Sequence, residues 1–228
     1  MPDLPFPVTP SAAPALLASL DREGKIDRAL ESLGPIAGRD VVAVDPGPGQ
    51  MARWTAAGAR LLAVDSIRSD AARELADESA DAIVSGWSDF RGVDAADLAT
   101  VDRILRPGGR LLVLHDYGRD DVSRLRGELP EYGAWSRRDG PFLANGFRVR
   151  VIHCFWTFDD LEVARATLTD VFGEAIAAPL ATELKRPRLS WNVAVYHRTR
   201  GAGLEAEILS IGDGARRSEG AARAVRFA

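Results

Sequence analysis

Apolar residues recur at three- and four-residue spacing in APALLASLDREG and IDRALESLG, within residues 11–34, which predicts two short helices with Gly34 as a C-terminal stop. The spacing then changes. VVAV at 41–44 is a short apolar run that breaks into Gly and Pro, a helix follows over 50–58, and ARLLAVD reads as a second strand ending at Asp65. RSDAARELADE (68–78) has a helical pattern, and DAIVSGW (81–87) is β-branched and apolar enough for a buried parallel strand. VDAADLATVDRILR (93–106) is an amphipathic helix closed by Pro107, Gly108 and Gly109, and RLLVLHD is the next strand.

Beyond His115 the pattern yields a helix in DDVSRLRGEL, a long strand in GFRVRVIHCFWTF, a helix in TFDDLEVARATLTDVFG opened by Thr157 and Asp159/Asp160, and a last strand in SWNVAVYHR (190–198). Strand and helix alternate, so the expected fold is α/β: a mostly parallel sheet with helices on both faces. The last two strands could be parallel or, at an edge, antiparallel; the pattern leaves both open. The expected organisation is an N-terminal helical segment (1–36) packed on a single α/β domain (37–200), with a partly flexible C-terminal extension (201–228).

Composition narrows the function classes. The formal charge of −4 offers no basic footprint for nucleic-acid phosphates, and no stretch approaches the apolar length that spans a bilayer. The N-terminus lacks the basic start and apolar middle of a signal peptide, so a cytoplasmic protein acting on a small molecule is expected, with no nucleic-acid or membrane partner and a homodimer as an open option. The single cysteine, Cys154, reads as an inert buried thiol. His153 and Cys154 are neighbours on a strand and point to opposite faces, and with three histidines in the chain no metal site is expected.

The order of elements, with LRPGGRLLVL at 105–114 as its most specific piece, resembles class I S-adenosylmethionine-dependent methyltransferases over about residues 24–198. The resemblance implies a Rossmann-like fold, S-adenosylmethionine as cofactor, and a first strand that ends in an acid followed by Gly-x-Gly-x-Gly. Backbone amides and the next helix's N-terminus then face the cofactor's methionine portion. It assigns Asp45, Gly47, Pro48 and Gly49 to this turn, Asp65 to the ribose hydroxyls, Asp70 to the adenine contact, and Ser85, Gly86 and Trp87 to the cofactor's border. His115, after the next strand, is the candidate catalytic base.

The glycine turn is degenerate and has two registers. In one, Asp45 is the acid and Gln50 replaces the third glycine. In the other, Gly47 and Gly49 are the second and third glycines, Asp45 stands at the first glycine's position and Ala43 replaces the acid. The second register matches the strand length and the spacing to Asp65 better. It places a carboxylate near the cofactor's own and removes the partner of its ammonium group, each lost charged hydrogen bond costing about 1.5–3 kcal/mol. Only 15 residues separate Asp65 from Asp81, which leaves no room for the family's third, edge strand and predicts an adenine pocket open on one side. Two functions follow: a methyltransferase acting on a small molecule, or a methyltransferase-like domain that has lost the cofactor and serves as a binding or assembly partner. A nicotinamide-dependent oxidoreductase fits less well: some Gly-x-Gly-x-x-Gly sites accept an alanine such as Ala52 at the last position, but the ProGlyGly helix-to-strand junction and the late strand pattern fit it poorly.

Overall fold

A computed structural model describes residues 3–127, 129 and 131–201. Four strands, β1 (Asp40–Val44), β2 (Arg60–Val64), β3 (Ala80–Gly86) and β4 (Leu105–Asp116), run parallel, joined through α3 (Pro48–Ala56), α4 (Asp70–Glu74) and α5 (Ala95–Ile104). α6 (Asp121–Arg126) leads towards β5 (Arg148–Thr157), and α7 (Leu161–Phe172) with α8 (Glu174–Glu183) leads to β6 (Arg188–Thr199). The six strands lie in the order β2-β1-β3-β4-β6-β5, with β6 antiparallel to both of its neighbours. Among the described residues, β2 is the edge beyond β1 and no further strand flanks it. The last two strands are therefore antiparallel, but the reversed strand is inserted inside the sheet and β5 forms the edge. The C-terminal extension lies outside the described residues except for Gly201.

Strand periodicity divides the core into two layers. Val41, Ala43, Ala82, Val84, Leu112, Leu114, Trp191, Val193 and Val195 face one layer, with Leu16 and Leu30 from the two N-terminal helices α1 (Ala13–Ser19) and α2 (Lys25–Leu33). Val42, Val44, Ile83, Leu111, Val113, Ala194 and Tyr196 face the other, together with Trp135, Phe142 and Phe147.

Several boundaries move. The helical pattern of 68–78 contracts to α4, capped by the Ser69 hydroxyl, which accepts from the Ala72 amide. The helix of 93–106 ends at Ile104, before Pro107 can stop it, because Leu105 turns extended (φ −69, ψ 141) and pairs with Ala80. Residues 106–109 then form an irregularity inside β4, since the next pair is Ala82 with Arg110. The ProGlyGly segment is thus an insertion in a strand, with Gly108 at φ 77. The chain after Gly173 forms a further helix, α8, which the sequence pattern did not single out.

Candidate functional site

Ligands of open α/β sheets bind beyond the carboxyl ends of the strands. Two cavities lie there. The larger, about 570 Å³, is lined by Pro48, Gly49 and Gln50 of α3, by Trp87, Leu114 and Trp191 of the sheet, and by Asp21 and Asp27 on its rim. The smaller, about 380 Å³, is lined by Asp45, Trp87, Ser88, Arg91 and Arg126. Residues 3–7 run between them: Asp3 lines the first, Leu4 to Pro7 the second, and Trp87 borders both. A third cavity, of 510 Å³, sits at the opposite end of the sheet around Arg110, Arg148 and His197.

The turn after β1 has the geometry of the second register. Asp45 adopts φ 45, the left-handed region that a glycine takes without strain, and its amide donates to the Val64 carbonyl at 2.7 Å. Ala43 is fully buried in the first core layer. Gly47, by contrast, has an ordinary φ of −76 as N-cap of α3, so space rather than conformation demands glycine. A Cβ there would collide with the Asp3 side chain. The Asp3 carboxylate accepts from the Gly49 amide at 2.8 Å and the Gln50 amide at 2.9 Å, filling the positive end of the helix. Gln50 is buried, and its Oε1 accepts from the Gly47 amide at 3.3 Å.

The other expected site residues divide. Pro48 and Gly49 line the larger cavity and Trp87 lines both. Trp87 stands at φ 67 and stacks on Trp191 with ring centroids 5.5 Å apart. Gly86 backs onto Gln50, where a Cβ would come within 2.9 Å of its Nε2. Ser85 is completely buried on the other face of the sheet, its hydroxyl without a hydrogen-bond partner among the described residues, so it does not border the cavities. Asp65 lies exposed just past β2 and lines neither cavity. Asp70 is a first-turn acid of α4, exposed and ion-paired with Arg73, and lines neither cavity. The expected opening beside the absent edge strand is packed at Ile67, because Asp89 Oδ2 accepts from Ser66 Oγ (3.0 Å) and from the Ile67 amide (2.8 Å), and Ile67 is buried.

His115 lines neither cavity. Alternation along β4 sends Leu111, Val113 and His115 to the second core layer and Leu112, Leu114 and Asp116 to the other face, where Leu114 lines the larger cavity. The imidazole is 1% exposed, 3.2 Å from the Phe90 carbonyl and edge-on to Trp135 at 4.8 Å. Burial, with Arg91 adding to it, pushes its pKa down to about 3. His153 bonds Asn192 at 2.7 Å, and burial drives the Cys154 thiol far above its usual range. No cluster of His, Cys, Asp or Glu suited to a metal occurs among the described residues.

Sequence reasoning missed Arg126 and Asp3. Asp116 accepts from Trp191 Nε1 at 2.7 Å and pairs with Arg126, and Arg126 lies over the Phe6 ring at 4.2 Å. Parity along β4 could have picked Asp116 over His115. Nothing local in the sequence could have found Asp3, whose contacts lie 46 and 47 residues away.

Residues 23–113 match the family model of a methyltransferase domain. No curated protein matches. Among solved structures, a candidate type II methyltransferase from Anaeromyxobacter dehalogenans is 19% identical, with 77% of this chain and 95% of that one covered and a TM-score of 0.49. A SAM-dependent methyltransferase from Aquifex aeolicus is 14% identical, with 82% and 97% covered and a TM-score of 0.44. For a Haemonchus contortus phosphoethanolamine N-methyltransferase complex the values are 16% identity, 77% and 52% coverage, and a TM-score of 0.42.

Proposed function

We propose, from the methyltransferase-domain match of residues 23–113, that this chain binds S-adenosylmethionine in the crevice beyond β1 and β3 and transfers its methyl group to a small molecule. The observation that carries this reading is the seat at α3: two backbone amides at a helix N-terminus already hold a carboxylate, the group that a methionine-derived cofactor presents. The flanking cavities supply an apolar wall in Trp87, Leu114 and Trp191.

When bound, the cofactor supplies a sulfonium-activated methyl group. The chain's own task is then placement, since in-line positioning alone can contribute several kcal/mol to such a transfer. Asp21 lines the larger cavity, and its Oδ1 is buried without a hydrogen-bond partner among the described residues, while Oδ2 accepts from the Ile26 amide at 2.7 Å. The second reading, a domain without cofactor, is favoured by Ala43 and by Asp3 occupying the seat.

A thermal-shift titration with S-adenosylhomocysteine separates the two. A ligand confined to the folded state adds about 2.7 kcal/mol at one hundred times its Kd, so the midpoint should climb by several degrees. An unmoved midpoint at millimolar ligand, both in the full chain and in an Asp3→Asn variant whose seat holds no carboxylate, leaves only the second reading.

Asp45 offers a further expected result. Its Cβ in the left-handed region costs up to about 1–2 kcal/mol, less for aspartate, and glycine returns part of that as unfolded-chain entropy, so Asp45→Gly should change stability by under about 1 kcal/mol. Its effect on the ligand should be larger, because a carboxylate lining the cavity beside the seat is removed. About tenfold tighter S-adenosylhomocysteine binding by calorimetry is expected; unchanged affinity would mean that Asp45 does not oppose the cofactor.

A further inference from the structure

We infer that residues 3–7 form an internal plug, in which the Asp3 carboxylate holds the anion seat of α3 and must leave before the cofactor's carboxylate can enter. The inference rests on the cofactor reading above and adds its regulation.

Three independent contacts define the plug. Both Asp3 oxygens are engaged, one by each of the amides of Gly49 and Gln50, so a second carboxylate finds no free donor there. The side chain also lies so close over Gly47 that no Cβ fits beneath it, which makes the glycine turn complementary to Asp3 itself. The following residues are anchored: Leu4 is buried, Phe6 packs against Trp156 (6.0 Å between centroids) and Phe172 (5.9 Å), and the Arg126 guanidinium covers the Phe6 ring. Because the segment runs between the two cavities, its release would join them into one crevice bordered throughout by Trp87.

The energetics favour a closed resting state. A carboxylate tethered three residues from the packed Phe6 competes at millimolar or higher effective concentration without paying for association. The apparent affinity for the cofactor is then the intrinsic one reduced by the fraction of molecules whose seat is open. Anything that draws Phe6 out of its aromatic contacts opens the site.

The test compares S-adenosylhomocysteine binding by calorimetry to the full chain and to the Asp3→Asn and Phe6→Ala variants. Asp3→Asn keeps the shape of the side chain and removes its charge, while Phe6→Ala leaves the carboxylate intact and loosens its anchor. The plug predicts about tenfold or greater tightening in Asp3→Asn, one charged hydrogen bond's worth, and a smaller gain in Phe6→Ala. Binding by all three with equal affinity overturns the plug and leaves the cofactor reading standing. Weaker binding by Asp3→Asn also overturns it, since Asp3 would then be a cofactor contact. Absence of binding in every variant overturns the cofactor reading and the plug with it. Amide exchange on the unaltered chain gives a readout independent of any variant's folding: ligand should speed exchange at Leu4 and Phe6, and binding that leaves their exchange unchanged overturns the plug.

Discussion

Asp116→Ala should lower unfolding stability by about 3–5 kcal/mol, because it removes one partner of a buried ion pair and leaves the other uncompensated. The Asp116 side chain is 6% exposed and that of Arg126 13%, so water cannot take over the lost interaction at the guanidinium. The same substitution strips the acceptor from Trp191 Nε1, inside a wall where Trp191 also stacks on Trp87 and meets Trp156 edge-on at 6.4 Å. For a chain of 228 residues this corresponds to a melting point lower by about 6–20 °C. A paired substitution, Asp116→Ala with Arg126→Met, tests the cause. If the orphaned charge dominates, the double variant recovers a large part of the loss; if it is no more stable than Asp116→Ala, the cost lies in the Trp191 hydrogen bond. Losing Arg126 also uncovers Phe6, so the double variant should bind S-adenosylhomocysteine more tightly than its stability alone would suggest.

The same ion pair explains where the sequence was readable and where it was not. The alternation of apolar runs and amphipathic stretches specified a parallel α/β sheet without a third edge strand, because each strand's burial is local and periodic. The left-handed Asp45 was also readable, since the Pro-Gly-Pro-Gly spacing left it at a glycine's position. What failed was the choice between neighbours at a strand end. His115 drew attention by residue type, yet strand parity sends it into the Trp135–Phe142 layer and turns Asp116 to Trp191 and Arg126, which line the cavities. Helix α5 stopped short of its proline because Leu105 gains a strand partner, a tertiary preference that local propensity does not contain. Asp3 was beyond reach for a different reason: an acid in a Pro-rich start carries no periodicity, and only the assembled fold brings it to Gly49 and Gln50.

Lowering the pH should expose the part His115 does play. Its folded pKa, about 3, lies below the ordinary 6.5, so between those values the unfolded chain binds a proton that the folded protein refuses. Stability attributable to this residue is therefore complete above about pH 6.5 and declines as the pH falls, at a limiting slope of about 1.4 kcal/mol per unit. At pH 5 the loss should reach about 2 kcal/mol. His197, depressed by burial and by Arg110, Arg148 and Arg150, acts in the same direction, so the contribution of His115 must be taken by difference. His115→Gln retains an amide able to donate to the Phe90 carbonyl but does not titrate. Urea unfolding at pH 7 and pH 5 should show the unaltered chain losing about 2 kcal/mol more than the variant over that interval. Parallel losses would mean that the imidazole is protonated in the folded state. Methyl transfer should follow the opposite rule: a side chain sealed in the second core layer takes no proton from an acceptor. His115→Gln should therefore leave the pH dependence of turnover unchanged at temperatures where both proteins are folded, and a shifted inflection would return His115 to the chemistry.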